Sequence, residues 1–216
     1  MITSETLPGR LARVEGPDGA GKTLQIEFAR DYAEKNNIPT LFVREPGGTK
    51  FGVEIRNLLL HNKQYDFDPV TEYALLTADR SHLIRTEILP HLEMGWTVIG
   101  DRGIESGIPY QGAAGGMTKE QILDVGNLLL PQRYMWPDGL ALLSLSKEVR
   151  RARMLAKSES IGLDKIEQRN MKYSDDVHDG YISLASLPYA TVVDAEQSPE
   201  EVFNVLRPIL FGPEHA

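Results

Sequence analysis

Cysteine is missing altogether. That excludes disulfides, thiolate zinc sites and cysteine nucleophiles together, and it fits a reducing compartment. Basic residues are scarce: 23 Lys and Arg stand against 31 Asp and Glu, a net charge of −8. A protein that grips a polynucleotide carries a basic footprint, so nucleic acid is not an expected partner. No apolar run in the chain approaches the roughly 18 residues that cross a bilayer. Residues 1–9 lack the basic-then-apolar pattern of a signal peptide. There is no internal repeat and no low-complexity block. What remains is a 216-residue chain with 41% hydrophobic content, the size of one α/β domain. The expected organisation is a flexible terminus over 1–9 and a single domain over 10–216. The expected location is the cytoplasm, with no membrane partner.

The most informative segment is Gly16-Pro17-Asp18-Gly19-Ala20-Gly21-Lys22-Thr23, which fits G-x-x-x-x-G-K-[ST] at every fixed position. Glycines let successive N–H groups turn inward on phosphate oxygens. Lys22 is then expected on the β- and γ-phosphates and the Thr23 hydroxyl on Mg²⁺. The flanks agree. Leu11 to Glu15 reads as a strand, and Leu24, Phe28 and Tyr32 keep helical spacing with Ala29 and Ala33. A nucleoside triphosphate is the ligand this context calls for.

Further strands are expected at 40–43, 97–100, 140–143 and 191–194. Helices are expected over 50–60, with Phe51, Ile55, Leu58 and Leu59 on one face, and from Asp68-Pro69 towards Pro90. Others start at the capping box Thr118-Lys119-Glu120-Gln121, at Ser146 and at Ser198-Pro199-Glu200, and one runs from Asp164 to Tyr181. Strands alternating with helices predict a parallel sheet of about five strands with helices on both faces. Ligands of such sheets bind beyond the carboxyl ends of the strands. Asp18, Arg44, Asp101 and Arg102 each follow a strand. Asp101 is a candidate for Mg²⁺, and the two arginines for an acceptor phosphate. Arg150, Arg151 and Arg153 precede the small, polar stretch 156–162, which points to a lid over about 150–163. Arg153 and Lys157 are expected to face phosphate and Arg151 to be an ordinary charged surface residue.

From about residue 11 to 207 the chain resembles the thymidylate kinase family. The resemblance rests on Glu15 to Thr23, Arg44-Glu45-Pro46-Gly47-Gly48-Thr49, Gly100-Asp101-Arg102 and Tyr110-Gln111-Gly112. Leu163-Asp164-Lys165-Ile166-Glu167 and Asp194-Ala195 add to it. It implies the P-loop fold of nucleoside monophosphate kinases with a mobile lid, ATP as donor, dTMP as acceptor, and a homodimer. It implies that Asp18 meets the sugar 3′-hydroxyl, Arg44 and Arg102 the acceptor phosphate, and Arg80 the pyrimidine edge. Tyr110 packs by the deoxyribose and Ser106 lies near the base. The loop has no arginine at 17–20, so the lid supplies cations from Arg150, Arg153 and Lys157, as in bacterial-type members. Lys22, Arg102, Asp18, Arg44 and Arg153 form the implied catalytic set.

The departures are Leu76 where phenylalanine is usual, Gly103 for tyrosine, Gly115 for arginine or a similar residue, and Lys157 for arginine. Smaller groups leave room. A kinase for another or modified pyrimidine deoxynucleoside monophosphate therefore stands beside dTMP kinase, and a non-catalytic nucleotide-binding protein beside both. A nucleoside kinase fits less well, because two arginines would lack an anion.

Overall fold

Short apolar runs pair into one parallel sheet. In the computed structural model, which describes residues 7–62, 64–160, 162 and 164–215, the strands are β1 (Arg10–Glu15), β2 (Thr40–Arg44), β3 (Thr97–Asp101), β4 (Gly139–Ser144) and β5 (Ala190–Asp194). Their order is β2-β3-β1-β4-β5, and every neighbouring pair is parallel. β3 is buried along its whole length, as a strand covered on both faces must be. The register sets Val14 and Arg44 on either side of Asp101, so three strand ends meet at one edge.

The connections are helical: α1 (Lys22–Lys35), α2 (Lys50–Leu60), α3 (Pro69–Leu83), α4 (Leu89–Glu93), α5 (Lys119–Leu129), α6 (Gln132–Met135), α7 (Lys147–Ser160), α8 (Met171–Ser183) and α9 (Pro199–Phe211). Alternate strand residues feed two cores. Ala12 and Val14 pack with Ala29, Leu206 and Leu210 on one face. Leu11 and Val98 pack with Leu83, Ile88 and Leu92 on the other. Asp68 caps α3 through the Thr71 N–H at 2.7 Å, and both ends of the Thr118/Gln121 capping box are made.

Several expectations need correcting. α8 starts after Asn170, which caps it, and not at Asp164. The Asp164 carboxylate accepts the N–H groups of Ile166 and Glu167, each at 2.9 Å, and closes a local turn in place of a helix. α3 passes through a wide turn at Ile84–Ile88 and continues past Pro90 into α4. Its buried face is Glu72, Tyr73, Thr77, Asp79, Arg80 and Leu83, while Ala74 and Ala78 are exposed. Leu24 and Phe51, expected on the apolar faces of their helices, are exposed too. Of the expected lid, α7 holds everything up to Ser160 in helix, and Ile161 and Leu163 lie outside the described residues. Of the expected flexible terminus, 1–6 lie outside them as well. Leu7 packs on a core cluster and the Gly9 N–H donates to the Leu92 carbonyl at 2.9 Å.

Candidate active site

The loop after β1 is shaped by its glycines. Gly16 has φ 148°, and a Cβ there would stand 2.7 Å from the Leu143 carbonyl oxygen. Gly21 has φ 91° and precedes α1 without a side-chain cap, so the first N–H groups of that helix remain available to an anion. Lys22 is buried and donates to the Gly16 and Pro17 carbonyls at 2.6 and 2.9 Å. Burial, helped by the nearby Arg102 cation, lowers its pKa to about 8.

The loop opens on a cavity of about 430 Å³, within the range of small-molecule sites. It brings together Asp18, Gly19, Gly21, Lys22, Thr23, Arg44, Leu76, Arg80, Asp101, Arg102, Ser106, Tyr110 and Lys157. Gly16, Pro17 and Ala20 lie behind the wall, as do two of the lid cations. Arg150 binds Ser174 Oγ at 2.7 Å and Asp175 at 3.4 Å, clamping α7 to α8. Arg153 donates to the Gly19 and Ala195 carbonyls at 3.2 and 3.0 Å, bracing the loop from outside. Arg151 pairs with Asp175 on the surface, as expected. Lys157 reaches the wall and pairs with Glu167 at 2.5 Å.

Arg102 is the most heavily contacted of these groups. Its backbone is left-handed, with φ 73°, a conformation that costs about 1–3 kcal/mol and clusters at functional sites. Nη2 binds Asp18 Oδ1 at 2.5 Å; Nη1 binds the Tyr181 hydroxyl at 2.5 Å. Tyr110 donates to the other Asp18 oxygen at 2.8 Å, and the Ser106 hydroxyl donates to buried Glu15. Burial pushes the Asp18 carboxyl up, but Arg102, Lys22 and the Tyr110 hydroxyl outweigh it and hold the pKa at about 2. Asp18 is thus an ionised acceptor wedged between two cations.

The far wall carries Arg80, whose Nε binds Glu45 at 2.6 Å and whose Nη2 binds the Gly103 carbonyl at 3.1 Å. Its Nη1 is buried and finds no partner among the described residues. Arg44 is half-exposed, with Nε 3.5 Å from Asp101 Oδ2, and Asp101 Oδ1 is likewise buried and unpartnered. Sequence reading missed Glu15, Glu45, Arg56 and Tyr181. Arg56 lines the cavity and donates to the Pro46 carbonyl at 3.1 Å. Glu15 and Glu45 did lie inside quoted motifs. No local pattern marks Tyr181, which arrives from α8.

The two glycine departures do not enlarge this pocket. A Cβ at Gly103 would stand 2.5 Å from Arg13 Cδ and 2.6 Å from Glu105 Oε2. Arg13 and Glu105 form a buried ion pair at 2.6 Å that fills this space. A Cβ at Gly115 would stand 2.6 Å from the Gln111 carbonyl oxygen and 2.9 Å from Pro69 Cβ. Of the three acceptor-side departures, Leu76 and Gly103 line the cavity and Gly115 does not, and only Leu76 puts a side chain on the wall.

Comparison with known proteins agrees with this geometry. The family model described as thymidylate kinase matches residues 14–205. A thymidylate kinase of Carboxydothermus hydrogenoformans is 35% identical over 204 residues, covering 94% of this chain and 98% of the relative. One from Exiguobacterium sibiricum is 35% identical, covering 91% of each. One from Leifsonia xyli is 34% identical over 217 residues, covering 98% of this chain and 99% of the relative. The chain belongs to the thymidylate kinase family.

Proposed function

We propose that the protein transfers the γ-phosphoryl group of ATP to dTMP, releasing ADP and dTDP. The observation that carries this is the shared cavity: the Lys22 loop and the Arg102, Arg80 and Tyr110 wall open on one space. Phosphoryl transfer asks mainly for positioning and for positive charge around the moving group. The loop amides and Lys22 hold the donor phosphates. Arg102 stands between donor and acceptor, with Arg44 and Arg56 on the acceptor side. Asp18 accepts the 3′-hydroxyl, Tyr110 packs by the sugar, Leu76 lies against the base, and Arg80 Nη1 donates to a base carbonyl.

The residues fit Mg²⁺. Among the described residues no group of three or more His, Asp or Glu forms a cage. A magnesium ion held mostly by phosphates and water needs only one or two protein oxygens. Thr23 and the unpartnered Asp101 Oδ1 would supply them. When bound, such an ion would supply positive charge that offsets the charge on the transferring phosphoryl group. Lys157, on the cavity wall, is the lid cation that faces the phosphates in a single-domain protein. Two chains form a homodimer, as the family resemblance implies, with the adjacent exposed Leu128 and Leu129 at the end of α5 as the candidate contact. Among the described residues no helix is long and apolar enough to cross a membrane. We place the protein in the cytoplasm, with its nucleotides.

Turnover measured side by side on dTMP, dUMP, dCMP and 5-substituted dUMP tests the reading. The highest kcat/KM is expected for dTMP. A higher value for another nucleotide replaces the acceptor, and no turnover on any ends the kinase assignment.

A further inference from the structure

Tyr134, on α6, is 1% exposed and lies outside the cavity wall. Its hydroxyl donates to Glu45 Oε1 at 2.6 Å. The other oxygen of the same carboxylate accepts from Arg80 Nε at 2.6 Å. Behind Tyr134, the Arg13 guanidinium sits 4.0 Å from its ring centroid, donates to its carbonyl and pairs with Glu105. Buried charges are expensive to hold and are poor sources of stability compared with apolar packing. A line of them running from Glu105 to a cavity-wall arginine points to orientation as its use.

A carboxylate left alone with an arginine prefers the two-bond fork. Here Tyr134 occupies one Glu45 oxygen, so Arg80 meets the other through Nε alone. Its Nη2 stays on the Gly103 carbonyl, and Nη1 is the nitrogen without a protein partner. Without the tyrosine hydroxyl, Glu45 can take Nε and Nη2 together, drawing Nη2 from Gly103 and turning the guanidinium.

We infer that Tyr134 is a positioning residue for base selection, acting through Glu45 to hold Arg80 Nη1 towards an acceptor on the pyrimidine. The inference rests on the proposed contact of Arg80 with the base. A guanidinium only donates. Thymine presents a carbonyl at the ring position where cytosine presents an amino group, so a fixed Arg80 favours dTMP and rejects dCMP.

The test is steady-state kinetics of full-length Tyr134→Phe with dTMP, dCMP and ATP. The expected result is a rise of about five- to ten-fold in KM for dTMP, the size of one lost hydrogen bond. kcat and the KM for ATP stay within about two-fold, and the preference for dTMP over dCMP falls about as much as KM rises. A merely structural tyrosine would leave that preference unmoved. Arg80→Ala separates the two claims. If it leaves the dTMP KM unchanged, the base contact fails and the inference with it. If it raises KM while folded Tyr134→Phe matches wild type, the positioning role alone is overturned. Should Tyr134→Phe not fold, Glu45→Gln takes its place, with the same loss of preference expected and an unchanged preference as the contrary result.

Discussion

The proposed donor and acceptor halves of the cavity are built by different means. The proposed donor half is one contiguous stretch, Gly16 to Thr23, whose uncapped backbone N–H groups are assigned the holding. The acceptor half is assembled from β2, α3, β3, the segment after it, and α8, and its side chains hold one another. A backbone device is fixed by glycine geometry and tolerates few changes. A side-chain device can be rebuilt. The space that a Cβ at Gly103 would enter is filled by Arg13 and Glu105.

The largest expected effect breaks the donor half. Lys22→Ala should lower kcat by about 10³-fold or more, as losing a transition-state cation does, measured by coupled assay at saturating substrates. Turnover within a few-fold of wild type would remove Lys22 from the chemistry. Gly103→Tyr strikes the acceptor half, where the family's usual residue should now be harmful. Overpacking the Arg13–Glu105 pair should destabilise the protein by about 1–3 kcal/mol or more, read by urea unfolding. A stable variant would mean that the pair moves aside readily.

How much of this was legible follows the same division. The loop, Arg44-Glu45-Pro46 and Asp101-Arg102 could be read because each is contiguous and ends a strand. Tyr181 and the Arg13–Glu105 pair could not, since their partners come from elsewhere in the fold. Arg150 and Arg153 looked like lid cations because charge beside a polar stretch has no other local meaning, yet their contacts brace α8 and the loop. The helix expected from Asp164 failed because an aspartate side chain can satisfy the backbone that a helix would use. Sheet type, by contrast, needed only the alternation of elements, whereas the strand order β2-β3-β1-β4-β5 came from the structure.

Two smaller effects sharpen the comparison through pH. Lys22 loses its proton near pH 8 in the free protein, and a bound phosphate favours the charged form. ATP affinity should fall as pH rises through 8, and binding near pH 8.5 should take up a proton, seen by calorimetry in buffers of different ionisation heat. Affinity flat to pH 9.5 would contradict it. On the acceptor side, buried Asp79 holds the Gly47 N–H at 3.2 Å. Burial, then Glu45, raises its pKa from the usual 3.8 to about 6. The fold therefore favours the protonated form; that contribution is complete below the unfolded value and is lost as pH rises through 6. Asp79→Asn should raise the melting temperature at pH 7.5 by about 2–4 °C, and the gain should shrink towards pH 5. A gain independent of pH would assign it to another cause.

The central claim is that one chain holds both nucleotides in a single cavity, donor phosphates on the loop and acceptor on the Arg102 wall. An adenosine and a thymidine joined through five phosphates measures this directly. It should bind one molecule per chain and compete with both ATP and dTMP in steady-state kinetics. Competition with ATP alone, at any concentration of dTMP, would contradict it.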